Sequence, residues 1–277
     1  MSGAARRWLL SFGYDGSGFD GWARQPGRRT VEGVLLTGLA RSGVGLPGAP
    51  PRLDVASRTD RGVSARANAL VMESRLEPGA LLRAMNGIAP EILFREAWPV
   101  DDGFRPRRAL AREYRYYETR RERHPDRWRA VLPLFSGRTI DVRSFGRAIP
   151  SAEPSWRALS RVDLVEEEDH LRLDLRAPAF VWGMVRKIVS AFRAVDAGAI
   201  SVDRLSAALE GRARLGLPLA EPEPLVLWEV DYGLPPGIQS ARMSARHAGY
   251  FEAERAAAGL RGPLLRAVTD GAPVPPR

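Results

Sequence analysis

Hydrophobic and polar residues alternate along some stretches of the chain and recur with helical spacing along others. In the first hundred residues the alternating or continuous apolar stretches predict four strands, at 7–14, 52–57, 67–74 and 92–100. Helical spacing predicts one helix that Thr30 caps and that runs to about Arg41, and a second helix over 77–86. The resulting order, β-α-β-β-α-β, is the signature of a ferredoxin-like unit.

The second half of the chain shows a similar order of elements. Strands are predicted at 112–119, 161–166, 171–176 and 226–232, and helices at 141–149, 181–197 and 202–210. The two middle strands form a hairpin around a polar turn. We therefore predict an α+β protein with two similar halves, 1–105 and 106–233. A Pro/Gly break after Gly233 starts an Ala- and Arg-rich extension, 234–277, in which a helix is predicted over 245–258.

Composition and charge favour a globular protein with an anionic partner. Hydrophobic residues make up 44% of the 277, which is enough for a sizeable core. The formal net charge is +9, and Lys187 is the only lysine, so arginine supplies almost all of the positive charge. GC-rich codons would produce the same Arg/Lys ratio, but the excess of positive charge still favours binding to a polyanion.

Several classes of protein and site are disfavoured. The chain has no cysteine, which excludes disulfides and thiolate metal sites. His124, His170 and His247 are scattered without ligand spacing, and no nucleotide-binding motif is present, so we expect neither metal nor cofactor. The N-terminal apolar run is too short for a signal peptide, and no segment is apolar enough to span a membrane. The expected location is the cytoplasm.

One short segment between two predicted strands combines an acid with cations and glycine. Asp60 lies between Arg58 and Arg61, and Gly62 permits a tight backbone turn. A carboxylate flanked by cations stays ionised and is available as a nucleophile or base. An Asp in such a position also commonly forms a structural Asx-turn, so the segment alone leaves both interpretations open.

Three further segments carry unusual patterns. Residues 14–22 read YDGSGFDGW, with glycine at each bend and aromatic residues between, and 104–116 interleave arginine and tyrosine at strand spacing. Residues 177–188 read APAFVWGMVRKI and open the long predicted helix. At ~100° per residue, Arg186 lies roughly 140° from the centre of that helix's apolar stripe. Arg186 is therefore predicted to face a cleft or solvent rather than the core.

Taken together, these segments resemble the tRNA pseudouridine synthase A family over most of the chain, from about Leu9 to Tyr232. Residues 57–65, SRTDRGVSA, are similar to that family's catalytic signature. The resemblance implies the pseudouridine synthase fold, in which two ferredoxin-like halves share one continuous mixed or antiparallel sheet around a central cleft. It also implies a homodimer that needs no cofactor. Ser64 stands where many members have histidine, and Arg105-Pro106 replaces a commoner His-Ala, which bears on substrate details.

The resemblance also implies roles for individual residues. Asp60 corresponds to the essential aspartate nucleophile, and Arg58 to an arginine that helps to hold the target base out of the RNA stack. Tyr114 corresponds to a tyrosine that stacks on the target uracil and lies close enough to assist proton removal, and Arg186 corresponds to an arginine that pairs with the aspartate. Asp60, Tyr114 and Arg186 are therefore the expected catalytic residues. The other cations in or beside these segments are expected to contact RNA: Arg61, Arg24, Arg107, Arg112 and Lys187.

The implied reaction is the isomerisation of uridine to pseudouridine on the 3′ side of the tRNA anticodon stem-loop, at tRNA positions 38–40. Attack of Asp60 at C6 of uracil, attack at C1′ of ribose and a glycal intermediate all remain open. Two other functions are also considered. A non-catalytic pair of RRM-like modules would need an RNP-type aromatic strand, which is absent. A glycosidase would need a second poised acid, and these segments offer Asp60 no obvious acidic partner.

Overall fold

A computed structural model describes residues 4–42, 44, 52–146, 155–239, 243–257, 266, 268 and 269. The chain divides by compactness into two units. The first unit contains Met1–Leu110 together with Val226–Arg277, and the second contains Ala111–Leu225. Both units combine strands with helices, so the predicted α+β class is confirmed.

The first unit contains the predicted β-α-β-β-α-β order. Its elements are β1 (Arg6–Tyr14), α1 (Val31–Ser42), β2 (Asp54–Val55), β3 (Ser64–Ser74), α2 (Pro78–Asn86) and β4 (Ile92–Pro99). β1 pairs antiparallel with both β3 and β4. β2 is shorter than predicted, because only Asp54 and Val55 pair with β3.

The two faces of this sheet have different surroundings. On one face, Phe12 of β1 packs against Phe94 of β4 with ring centroids 5.2 Å apart, and the ring of Trp22 lies 5.6 Å from Phe12. All three side chains are almost completely buried. On the other face, a second apolar cluster forms around Leu9 and Val71. Aromatic burial on this scale contributes several kcal/mol, roughly 25 cal/mol per Å², so it fixes the strand ends that carry the loops.

The second unit has more elements than its pattern predicted. They are β5 (Ala111–Thr119), α3 (Pro125–Val131), β6 (Arg138–Asp141), β7 (Trp156–Leu159), β8 (Arg161–Glu166), β9 (His170–Ala177), α4 (Met184–Asp196) and α5 (Val202–Leu209). β9 pairs antiparallel with β5 on one side and β8 on the other, which confirms the predicted β8–β9 hairpin. β6 and β7 form a separate antiparallel pair.

The prediction of a helix over 141–149 is wrong for residues 141–146. Residues 147–149 lie outside the described part of the chain. Asp141 ends β6, and residues 143–146 form turns. The buried Asp141 carboxylate accepts hydrogen bonds from the backbone N–H and the Nε of Arg143, both at 2.9 Å. Such a local side-chain bond competes with helix formation at its own position.

The long helix α4 begins at Met184, three residues later than predicted. Gly183 takes a left-handed φ of +76°, a backbone conformation that stops the helix from extending toward the N-terminus. Helix α3 was missed because its pattern is short: Pro125 occupies the first turn, and Trp128 and Val131 supply the buried side.

The chain after residue 225 returns to the first unit. β10 (Leu225–Asp231) pairs in parallel with β3 through Val226 and Leu227. β11 (Ile238–Gln239) pairs antiparallel with β4. α6 (Ala245–Ala257) confirms the helix predicted near the C-terminus. Within the described ranges, every helix is too short or too polar to cross a lipid bilayer.

Candidate active site

Asp60 lies in the loop of residues 56–63 between β2 and β3, called here the Asp60 loop. Its side chain is partly buried, whereas Arg58 and Arg61 on either side are exposed. The backbone turns just after the aspartate, with the Val63 N–H donating to the Asp60 carbonyl oxygen at 3.2 Å. Gly62 takes a φ of +80° at this turn, a conformation that few other residues adopt without strain. The sequence therefore places the acid at the apex of a tight loop.

Buried side chains hold the residues that precede Asp60. The Asn68 side-chain amide donates to the Ser57 carbonyl oxygen at 2.9 Å, and Asn68 is completely buried. The hydroxyl groups of Thr59 and Tyr14 are 2.8 Å apart in the core, with either able to donate. Buried hydrogen bonds of this kind are expensive to break because a polar group would be left unpaired. The backbone that carries Asp60 is thus anchored to β3 and β1.

A second loop, residues 15–30 between β1 and α1, packs directly on the Asp60 loop and is called here the glycine-rich loop. The Trp22 N–H donates to the Thr59 carbonyl oxygen at 3.0 Å, and the Gly62 N–H donates to the Phe19 carbonyl oxygen at 3.3 Å. A Cβ at Gly16 would lie 2.2 Å from the Val63 carbonyl oxygen. Only glycine permits the two backbones to approach this closely.

The predicted RNA-contacting cations of the first unit lie at its surface. Arg61 pairs with Asp20 of the glycine-rich loop, Nε to Oδ1 at 3.5 Å. Arg24 is exposed on the same loop, and its backbone N–H donates to the Glu32 carboxylate at 2.8 Å. Arg107 is exposed in a single 3₁₀ turn, Pro106–Arg108, close to β2 and β3. The first unit therefore groups Asp60, Arg58 and Arg61 in one loop, with Arg24 in the loop that packs on it.

In the second unit, Tyr114 is partly buried on β5. Its ring contacts Phe180 edge-on, with centroids 5.1 Å apart and planes at 81°. Phe180 lies four residues before α4, so the ring of Tyr114 lies near the start of that helix. Arg112, two residues earlier on β5, is nearly buried and donates from Nη1 to the Pro178 carbonyl oxygen at 2.7 Å.

Arg186 and Lys187 lie in the first turn of α4, and both are partly buried. The Arg186 Nε donates to the Ala220 carbonyl oxygen at 2.6 Å, and the Lys187 ammonium donates to the Gly146 carbonyl oxygen at 3.4 Å. The remaining N–H groups of a guanidinium point in directions fixed by its planar geometry. Arg186 is only partly buried, whereas the apolar residues of α4 around it are buried, as expected for a residue off the apolar stripe of the helix.

Arg193, near the C-terminal end of α4, forms an ionic network that holds α4 against β5. Arg193 of α4 donates from Nε to the Glu118 carboxylate at 2.8 Å and from Nη1 to the Glu221 carboxylate at 2.6 Å. It also donates to the Tyr116 hydroxyl at 3.2 Å. Burial raises the pKa of Tyr116 far above its usual range. The hydroxyl therefore stays protonated and donates to Glu221 at 3.3 Å.

Three of the residues that hold the site were missed at the level of the sequence. Asn68 and Thr59 fix the Asp60 loop, and Ala220 orients Arg186 through its backbone. Asn68 carried a usable signal, since it is the one amide in an otherwise apolar stretch of β3. The others act through local geometry or a backbone carbonyl, which residue type does not reveal. In the described ranges, no group of three or more His, Asp or Glu side chains is arranged to bind a metal.

Residues 135–233 match a family model described as tRNA pseudouridine synthase. A protein of Thermococcus kodakarensis named tRNA pseudouridine synthase A is 35% identical over 233 residues, covering 83% of this chain and 85% of the relative. One of the same name from Natronomonas pharaonis is 38% identical over 237 residues, covering 82% and 84%. The solved Cbf5-Nop10-Gar1 complex is 12% identical with a TM-score of 0.35, too distant to support an argument.

Proposed function

The chain belongs to the tRNA pseudouridine synthase A family, and we propose that it isomerises uridine in the tRNA anticodon arm with Asp60 as the nucleophile. Enzymes of this class are isomerases that act on tRNA. The observation that carries the specific proposal is the anchoring of the Asp60 loop, in which neighbours on both sides of the acid are hydrogen-bonded to buried groups. Preorganised placement of a reacting group is a main source of catalytic rate.

The conversion of uridine to pseudouridine requires the protein to bind the RNA and to supply a reactive carboxylate. The bond from N1 of uracil to C1′ of ribose breaks, the base turns, and a bond from C5 to C1′ forms; C5 loses its proton and N1 gains one. The product has the same mass as the substrate, and no electrons are gained or lost overall. The isomerisation therefore needs no redox cofactor.

We assign Asp60 the covalent or proton-transfer step. Its carboxylate can add to C6 of uracil, displace the base at C1′, or remove a ribose proton to give a glycal. Each route returns the carboxylate at the end of the cycle, so each is compatible with one aspartate on a rigid loop.

Before reaction the base has to leave the RNA stack, which costs a few kcal/mol. Exposed arginines offset that cost by binding phosphates and by stacking on bases. Membership of the family is the basis for placing Tyr114 on the target uracil and for pairing Arg186 with the catalytic carboxylate. The cations that we assign to RNA are Arg58, Arg61, Arg24, Arg107, Arg112 and Lys187.

The proposed substrate is the 3′ side of the anticodon stem-loop, and the proposed active form is a homodimer. Both follow from the family. The net charge of +9 supports a polyanionic substrate without identifying it.

Product analysis tests the proposal directly. An unmodified tRNA transcript is incubated with the purified protein, and pseudouridines are mapped by carbodiimide labelling and reverse transcription. We expect mass-neutral conversion of uridines on the 3′ side of the anticodon arm. Bound but unchanged tRNA would instead identify an RNA-binding module. Free uracil with an abasic site would identify a glycosidase, and either result would overturn the proposal.

A further inference from the structure

The C-terminal helix α6 docks on the first unit through a buried histidine and an apolar cluster. His247 is completely buried, and its Nε2 lies 3.0 Å from the Ile92 carbonyl oxygen at the start of β4. Its Nδ1 lies 2.6 Å from the Ser244 hydroxyl oxygen, just before the helix. Phe251 and Met243 pack with Leu93 in a cluster that excludes water. The helix is therefore held at a defined position and depth.

The docked helix places Tyr250 on a buried acid of the glycine-rich loop. The Tyr250 hydroxyl donates to Asp15 Oδ2 at 3.0 Å, across 235 residues of sequence. Asp15 is only 1% exposed. Its carboxylate also accepts from the Ser17 backbone N–H at 3.0 Å and from the Ser17 hydroxyl at 2.9 Å. A buried carboxylate is stable only when such donors replace the lost water.

Asp15 lies at the point where the glycine-rich loop leaves β1 and meets the Asp60 loop. The next residue, Gly16, donates its N–H to the Ser64 hydroxyl oxygen at 3.0 Å and lies against the Val63 backbone. Three residues later, the Phe19 carbonyl oxygen accepts from Gly62, two positions after Asp60. A shift of Asp15 would therefore be transmitted to both contacts with the Asp60 loop.

We propose that Tyr250 of α6 is a positioning residue, which braces the glycine-rich loop through Asp15 and thereby keeps Asp60 in its reactive place. This inference rests on the proposed role of Asp60. The proposal gives a role in catalysis to the segment after Gly233, which contains none of the residues that we assign to substrate binding or to the reaction. Tyr250 acts through two loops and touches no reacting atom.

Substitution of the hydroxyl tests the proposal with a matched control. Tyr250→Phe removes the hydroxyl that donates to Asp15, and the control Tyr232→Phe removes another tyrosine hydroxyl of the same unit, which donates to the Pro106 carbonyl oxygen at 2.7 Å. Single-turnover rates at saturating tRNA, KM for tRNA and melting temperatures are measured for both variants and for the wild type. Amide hydrogen exchange at Gly62 and Gly16 is followed in the absence of RNA.

For Tyr250→Phe we expect a rate about 3- to 10-fold lower, an unchanged KM, and faster exchange at Gly62. Tyr232→Phe should keep the wild-type rate and the wild-type exchange at Gly62, whatever its effect on melting temperature. A Tyr250→Phe enzyme with the wild-type rate, or with slowed turnover but unchanged Gly62 exchange, would overturn the proposal. Exchange needs no turnover, so an inactive wild type would count against the proposed function alone.

A coupling measurement adds a second readout. Ser17→Ala removes a second hydroxyl that donates to the same Asp15 oxygen. If both hydroxyls act through Asp15, the rate losses of Tyr250→Phe and Ser17→Ala combine non-additively in the double variant. Strict additivity of the two losses would contradict the brace.

Discussion

Addition of one methyl group at Gly16 tests whether contact between the two loops controls the reaction. The Cβ of Gly16→Ala would lie 2.2 Å from the Val63 carbonyl oxygen and 2.3 Å from its carbonyl carbon. Both distances are more than about 1 Å inside ordinary van der Waals contact. The atoms met are backbone, so rotation of a side chain cannot relieve the overlap, and the two loops have to move apart.

The size of the effect follows from that displacement. Overpacking of a tight site typically costs about 1–3 kcal/mol of stability. In a protein of this size, that corresponds to a melting temperature about 2–10 °C lower. Displacement of a reacting group by roughly 1 Å costs about 100-fold in rate. We therefore expect Gly16→Ala to lower the turnover rate about 100-fold while the protein remains folded, with only a moderately lower melting temperature.

Gly18→Ala on the same loop is the control. The new Cβ would meet only the Arg29 Nη1 at 3.3 Å, which is the end of an exposed, flexible side chain. Tritium release from tRNA labelled at C5 of uridine gives the rate, and thermal melting gives the stability. The reasoning is refuted if Gly16→Ala retains wild-type turnover, or if Gly18→Ala is equally damaging.

Three further substitutions, one of them a control, test the start of α4 and the docking of α6. Gly183→Ala places an alanine in a left-handed backbone conformation and brings its Cβ within 2.8 Å of the Leu219 side chain. Gly198→Ala is the control, because Gly198 has a similar φ of +71° but no atom within 4 Å of the added Cβ. Gly183→Ala should therefore lower both melting temperature and turnover, by roughly 1–3 kcal/mol in stability, and Gly198→Ala should lower only the melting temperature. Burial lowers the pKa of His247 below its usual 6.5, so the unfolded chain binds the proton more tightly than the folded one. The stability contributed by neutral His247 is complete above pH 6.5 and is lost as the pH falls below that value. His247→Gln should therefore reduce the fall in melting temperature below pH 6.5. The same dependence of melting temperature on pH in the variant and the wild type would contradict this expectation.

The alternating patterns predicted the strands well, because sheet burial repeats every two residues and leaves a regular trace. β1, β3, β5 and the β8–β9 hairpin all appear within a few residues of their predicted positions. Prediction failed where a local side-chain hydrogen bond or a left-handed backbone residue interrupts the element that the pattern indicates. Asp141 binds its own backbone two residues on and prevents a helix. Gly183 delays α4 through a left-handed φ that residue type alone does not require.

The candidate site was predicted in part for similar reasons. A carboxylate between two arginines is visible in one short segment, so Asp60 could be proposed directly. The groups that hold it are contributed from elsewhere in the chain: Tyr14 from β1, Asn68 from β3 and Tyr250 from α6. Such long-range bonds leave no local periodicity. Asn68 is a polar amide in an apolar stretch of β3, and Tyr14 begins the aromatic and glycine segment 14–22, but neither pattern indicates the residue that it binds.

The assignment of Asp60 is tested most directly by Asp60→Asn, which keeps the size and shape of the side chain and removes its charge. Asp54→Asn, at the exposed start of β2, is the control. For Asp60→Asn we expect tRNA binding and melting temperature close to the wild type, with pseudouridine formation at least ~1000-fold slower. Asp54→Asn should turn over normally. Pseudouridine formation by Asp60→Asn within about 10-fold of the wild-type rate would contradict the account, because the reaction would then need no carboxylate at that position.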